Sequence, residues 1–460
     1  MQIKWLYCLY SVIVIVFILI GAVLDVDLNT VIYGTVILYM AMLYLLYKAE
    51  GYFSLTLLFS ITYGVFLFGR HLAYIFAGGD LDVFTVGFLS DSVLNERQFN
   101  YWTAIELASL AIFTLMAVSV KIKFGTDYSY GREKYKYINS RSPLMLVILI
   151  TIVVSSTFLV FLELLEYVVR YGYVGIYIYN ANMAENSTVI SKIYYYSGAL
   201  VYILFGYSYV YRKNKKETYL LVSLIIIKSF LFLMIGQRGP FICTMLFLVL
   251  MNSKGKRNNI FKMTFLFTGL AILAQAINYF RGTGKEMSSV FDALSRFFYE
   301  QGISFYIPYL TNLYEFPAIA KFQTLLPGSK YIYELFTGIN LSLQDYNFSY
   351  ALTFNENARA ISEGAGFGWS ILSDFQQIFA GDFGILVGMG FLGAILGFVE
   401  SKKSSEHCKF ILYSIIIPFL FLPRASIASI TPILVICFSI IFIRISISKS
   451  KSKSEITSEC

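Results

Sequence analysis

The chain has 460 residues, of which 57% are hydrophobic, 18% aromatic and only 14% charged, where a soluble domain carries about 25% charged residues. Mean hydropathy is +0.67. These values exclude a soluble enzyme, a disordered chain and a secreted disulfide scaffold, and the formal charge of +8 has to be read against a membrane before it is read as a nucleic-acid signal.

About 20 apolar residues span a hydrocarbon core of about 30 Å. Twelve segments are predicted as spans on that basis, at roughly 5–24, 30–47, 53–77, 102–120, 143–163, 193–211, 218–235, 239–252, 260–279, 383–399, 410–428 and 430–446. The eighth and twelfth are short, so tilt or a shifted boundary is expected there. The first has no small-residue cleavage site and reads as a retained helix. The predicted class is an all-α, polytopic integral membrane protein of about 12 transmembrane helices. Its divisions are 1–280 (helices one to nine), 281–382 (a large extracytoplasmic loop with amphipathic helices), 383–446 (helices ten to twelve) and 447–460 (a cytoplasmic tail).

Basic residues set the orientation. Lys4, Lys48, the clusters Lys121 to Arg141, Arg212 to Lys216, Lys254 to Lys262 and Lys402 to Lys409, and the tail Arg444 to Lys453 place 23 of the 36 basic residues on one side. The opposite side has 11 basic and 19 acidic residues, a net −8. Arg70, Glu106 and Lys228 fall within spans. The basic side is therefore expected to be cytoplasmic, with both termini on it. The basic clusters read as topology signals, and no nucleic-acid partner is implied. Cys8, Cys243 and Cys437 fall in spans, Cys408 and Cys460 on the cytoplasmic side, so no external disulfide is expected. His71 and His407 are too few and too far apart for a zinc site, and no metal is expected.

A loop as long as 281–382 is uncommon without a function. It opens on a predicted amphipathic helix near 287–305, with Phe291, Leu294, Phe297 and Phe298 at helical spacing and Asp292, Arg296 and Glu300 between them. This helix can lie in the membrane interface or pack on the outer ends of the spans. The loop ends on Gly364, Gly366, Gly368 and Ser370, followed by Ser373, Asp374, Gly381 and Gly384. Such a run serves a tight turn into a helix or the close approach of a ligand. A second external loop, about 164–192, holds Tyr171, Tyr173, Tyr177, Tyr179, Asn180 and Asn182, which suit sugars and equally an aromatic belt. Asp25 with Asp27, and Asp80 with Asp82, look like the metal-binding pair of nucleotide-sugar transferases. They fall on the outer side, where cytosolic nucleotide sugars are absent, and read as solvated loops.

Three arginines stand against the acidic outer background. Arg238 sits in Gly236-Gln237-Arg238-Gly239-Pro240, Arg281 follows Asn278-Tyr279-Phe280, and Arg424 sits in Leu422-Pro423-Arg424-Ala425-Ser426. An arginine at mid-membrane costs about 2.5–3.5 kcal/mol on insertion scales, less near the interface. Each alone can be a snorkelling anchor or an ion-pair partner. Together, at the ends of separate helices, they can converge on a phosphate or pyrophosphate of a lipid, which guanidinium grips bidentately.

The Gly236 to Gly239 string, Asn278 to Arg281, and the Gly364 to Ser370 run leading to Asp374 and Gly384 resemble the Wzy-type oligosaccharide repeat-unit polymerases of O-antigen and capsule synthesis, over about 218–446. Asp374 departs from the pattern, standing where Glu is expected. The resemblance implies a metal-independent, cofactor-free glycosyltransferase of the bacterial inner (plasma) membrane. Its substrates would be undecaprenyl-pyrophosphate-linked oligosaccharides at the outer face. Its partners would be membrane lipid and a chain-length regulator and flippase of the same pathway. Arg238, Arg281 and Arg424 would hold the donor pyrophosphate, with Asp374 or Glu300 as general base. Gly236, Gln237, Gly239, Tyr279, Gly364, Gly366, Gly368 and Ser370 would bind substrate. An O-antigen ligase shares this donor and architecture. A flippase or transporter would rely on Arg70, Glu106 and Lys228. A scaffold within an assembly complex is the remaining class.

Overall fold

The computed structural model describes residues 2–21, 26–50, 54–86, 92–125, 144–171, 179, 189–235, 238–253, 269, 289–362, 366–379, 381–401 and 405–458. In chain order the helices are α1 (Gln2–Gly21), α2 (Leu28–Glu50), α3 (Leu55–Phe66), α4 (Gly69–Phe76), α5 (Glu96–Phe124), α6 (Leu144–Tyr171), α7 (Val189–Tyr207), α8 (Lys215–Ile235) and α9 (Arg238–Ser253). They continue as α10 (Val290–Gln301), α11 (Ile307–Thr311), α12 (Ala318–Leu325), α13 (Ser329–Thr337), α14 (Leu343–Tyr346), α15 (Phe348–Ser362), α16 (Ile371–Ile378), α17 (Gly381–Val399), α18 (Glu406–Phe421) and α19 (Thr431–Ser458). The described residues hold no β-strand, only an isolated bridge between Thr85 and Val93.

The described parts of the predicted apolar segments lie mainly on helices, and of 260–279 only Gly269 is described. Among the described residues, five helices are long and apolar enough to cross a membrane: α2, α5, α6, α17 and the stretch Glu406–Arg424. The predicted third segment passes the same test only as a bent pair, α3 and α4 meeting at 63° across Leu67 and Phe68, the geometry of a broken span or a re-entrant loop. Lys4–Val16, Arg238–Met251 and Thr431–Ser446 are shorter apolar helices.

Side-chain caps start several of these helices. Ser54 accepts from Leu57 N, Asn95 forms a capping box with Gln98, and Ser405 accepts from Cys408 N. Asp27 and Asp82 prove to be local turn-formers: Asp27 accepts from Thr30 N and Oγ1, and Asp82 from Phe84 N and Thr85 Oγ1.

The centre of the bundle is the α5–α17 pair. A Cβ at Gly393 would lie 2.1 Å from Phe113 O, and one at Gly397 2.4 Å from Ala117 O. These two glycines, a helical turn apart, let the backbones meet as small residues do in membrane helix pairs. Aromatic packing extends the core. Phe59 lies between Phe113 and Phe419, with centroids 4.5 and 5.0 Å away. Such pairs add about 0.5–1.5 kcal/mol each beyond area burial.

One end of this core is closed by a buried ion triad. Lys121 Nζ lies 2.6 Å from Glu400 Oε2 and 3.2 Å from Glu50 Oε2. Glu400 also accepts from Leu55 N and Thr56 Oγ1, so one carboxylate ties α17 to the start of α3.

The helix predicted near 287–305 is α10. It packs on the protein: Phe298 stacks on Phe76 of α4 at 5.6 Å, and Ser295 Oγ donates to Ala73 O. Its Phe291 is 64% exposed.

Candidate active site

The end of α10 is the floor of the site, and its placement begins with two glycines. A Cβ on Gly302 would lie 2.4 Å from Arg70 N, and a Cβ on Gly69 2.7 Å from Gly302 Cα. Only glycine at both positions lets the α10 terminus touch the start of α4. The contact seats Arg70 beneath Tyr299, with its guanidinium carbon 3.4 Å from the ring centroid. Arg70 is buried and also donates to Thr85 O at 3.3 Å. Arg70, inside the bent α3–α4 pair, is thereby committed to the segment just before Glu300.

Two further arginines reach the same segment from other elements. Arg238 opens α9, and its Nη1 forms an ion pair with the Glu300 carboxylate. Gly239 makes this possible, because a Cβ there would lie 2.2 Å from the Phe421 ring. Removing that atom allows the start of α9 to press against the end of α18. Beyond α18 the chain makes a single 3-10 turn, Leu422–Arg424. From it Arg424 Nη1 donates to Gln301 O at 3.0 Å, Glu300 O at 3.2 Å and Gln301 Oε1 at 3.3 Å. Among the described residues, the bonds of Arg424 all run through Nη1. A guanidinium has five N–H groups, so the rest of this fork is available to a ligand. The Glu300 side chain is 43% exposed, so its hold on Arg238 is accessible to a competing anion.

Asp374 on α16 is fully buried. Its carboxylate accepts from Ile427 N at 2.6 Å, Trp369 Nε1 at 2.7 Å and Ser426 Oγ at 3.1 Å. Burial raises its pKa to about 7, against the pull of the three donors towards the ionised form. Both oxygens are occupied and point at the turn that follows Arg424. Asp374 therefore sets the position of Arg424, and it has no open face towards an acceptor hydroxyl.

The glycine-rich run builds this arrangement. Gly368 has φ +78, a conformation that favours glycine. Its carbonyl accepts from Ser349 Oγ at 2.8 Å. The turn lays Trp369 flat on Phe348, 5.1 Å between centroids, and aims its indole N–H at Asp374. Ser370 is buried and caps α16 through Leu372 N. Gly366 packs on Thr353.

Of the residues singled out in the sequence, Arg238, Gly239, Arg424 and Glu300 come together directly. Asp374, Gly368 and Ser370 support them from behind. Gly236, Gln237, Tyr279, Arg281 and Gly364 lie outside the described residues. Sequence reasoning missed Arg70, Gln301 and Ser426 as parts of this cluster. Arg70 carried a usable signal, since like Arg238 it is an arginine beside a glycine at a break in an apolar run.

A model of the O-antigen polysaccharide polymerase Wzy family matches residues 6–453, and the chain belongs to that family. No curated protein and no solved structure matches it. Membership makes the chain a membrane polymerase of polysaccharide biosynthesis that acts on lipid-linked oligosaccharide repeat units.

Proposed function

We propose that the protein transfers a growing glycan from undecaprenyl pyrophosphate to a new undecaprenyl-pyrophosphate-linked repeat unit at the outer face of the bacterial inner membrane. The observation that carries this reading is the meeting of Arg238 and Arg424, from separate helix ends, on Glu300 and Gln301, with most of the Arg424 fork unengaged.

The chemistry asks little beyond alignment and charge stabilisation. The bond between the donor sugar's anomeric carbon and the pyrophosphate oxygen breaks. A hydroxyl of the acceptor sugar forms the new glycosidic bond and loses its proton. Undecaprenyl pyrophosphate leaves with the electron pair, and the arginines hold its charge. Arg281, one residue beyond the Asn278-Tyr279-Phe280 string, would join them.

Glu300 has two parts in this scheme. Without substrate it occupies Arg238. When pyrophosphate takes the guanidinium, the released carboxylate becomes the base for the acceptor hydroxyl. Asp374 is the positioning residue for Arg424. No metal is assigned a role in these steps.

The test is incubation of the purified protein in vesicles with lipid-linked repeat units alone. A ladder of longer lipid-linked glycans is expected. Transfer only after addition of a different acceptor would overturn polymerisation in favour of a ligase.

A further inference from the structure

The hairpin of α12 and α13 is amphipathic in the inverse sense. On α13 the charged side chains are sheltered: Lys330 and Glu334 are 19% and 21% exposed and lie 3.7 Å apart, while Lys321 on α12 is half-buried. Lys330 Nζ also lies 4.2 Å from the Tyr346 ring centroid. Glu334 accepts from Leu341 N, and Gln323 accepts from Lys330 N. The polar groups are thus spent on holding the hairpin together. The large apolar side chains point away from the protein. Ile332, Leu335, Phe336 and Ile339 form one helical stripe, and Leu335 and Phe336 are 82% and 83% exposed. Phe322 and Leu326 continue it on the other arm. No residue of α13 is buried.

The hairpin is fixed at a known level of the bundle. Thr431 Oγ1, at the start of α19, donates to Thr324 O at 3.3 Å. The apolar helix that begins there, Thr431–Ser446, exposes Val435, Phe438 and Phe442. The hairpin is therefore attached at the start of this apolar helix, seven residues after Arg424.

We propose that the α12–α13 hairpin is a membrane-seated element, with its apolar stripe in the hydrocarbon of the leaflet on the arginine side. A helix with polar groups turned inward and apolar groups outward has the pattern that hydrocarbon selects and water opposes. Continuity with α19 makes lipid the occupant. The proposal does not rest on the transfer reaction above, because its readout is depth and not turnover.

The test replaces Phe336, in the full chain, with the fluorescent amino acid dansylalanine. The protein is reconstituted in phosphatidylcholine–phosphatidylglycerol vesicles. Nitroxides on the acyl chains should remove several-fold more emission than aqueous iodide. The emission should also shift to the red when the vesicles are replaced by a polymer that holds no lipid. Dominant iodide quenching would place the stripe in water and overturn the proposal. Shielding from both quenchers would place it against protein, such as a second copy, and overturn it as well. The site is 83% exposed, so the fold tolerates the probe.

Discussion

The backbone N–H of Ile427 donates to the buried carboxylate of Asp374 across 2.6 Å, and this bond fixes the turn three residues after Arg424. Trp369 and Ser426 complete the grip. Asp374→Ala would leave buried donors unsatisfied, at about 1–3 kcal/mol each, and would let the turn move. A displacement of about 1 Å can cost about 10²-fold in rate. We expect elongation to fall by that order, mainly in kcat, while the variant still inserts in the membrane. Kinetics on lipid-linked repeat units, beside a quantitative blot of the membrane fraction, check both halves.

The same carboxyl gives a pH signature. Its pKa is about 7 in the fold, against an ordinary value of 3.8. The folded protein holds this proton more tightly than the unfolded chain. Its contribution to stability is therefore full below about pH 4 and is lost as pH rises through about 7, at up to about 1.4 kcal/mol per unit inside that window. Asp374→Asn removes the titration. The gap in Tm between the parent and this variant should drift against the parent from pH 5 to 7.5, read by circular dichroism in detergent. Parallel curves would show that Asp374 does not titrate there.

The arginines make the most direct case. Removing one preorganised charge donor commonly costs about 10²–10³ in rate. Arg238→Ala, Arg424→Ala and Arg281→Ala should each lower ladder formation by that order. Lysine should rescue poorly at 238 and 424, because a point charge cannot reproduce the fork. Normal glycan ladders from the Arg238 and Arg424 variants would remove the clamp from the mechanism.

How much of this was legible in the sequence follows from the range of the interactions. Helices came from local periodicity, and the described apolar segments of the sequence lie on them. Arg238 and Arg424 stood out because charge near hydrocarbon needs a local reason, and Glu300 only as an external carboxylate. Arg70 stood out as a charge within a span, but its place in this cluster did not, because that depends on Gly69 meeting Gly302 from the far side of the chain. Asp374 could be read only as a carboxylate near a glycine-rich turn. Its burial comes from Trp369 and from Ser426 and Ile427, the latter two more than 50 residues away. The packing of α10 on α4, with Phe298 stacked on Phe76, likewise joins residues more than 200 positions apart.

Glu300 offers a variant that separates binding from chemistry. In Glu300→Gln, Arg238 loses its ion-pair partner and is free for an anion, while the base is lost. The donor KM should fall and kcat should fall further, with the loss in kcat within the about 10²–10⁴-fold range of general base catalysis. Steady-state kinetics with separately varied donor and acceptor would show the split. An unchanged kcat would leave Glu300 a holder of Arg238 only.

At the opposite end of the bundle, Lys121 lies between Glu50 and Glu400 with all three side chains buried. Lys121→Met keeps the length of the side chain and removes its charge. Two carboxylates then share a site sealed from water, and Glu400 still fixes the start of α3 through Leu55 N. Breaking a buried ion pair from one side costs about 3–5 kcal/mol. The single variant should therefore lose most of its folded yield in detergent, read by size-exclusion chromatography with fluorescence detection. Adding Glu50→Gln should restore much of it, because the remaining Glu400 keeps its bonds from Leu55 and Thr56 and no longer faces a second buried charge. A double variant no better than the single one would mean that the lysine acts by filling space and not by balancing charge.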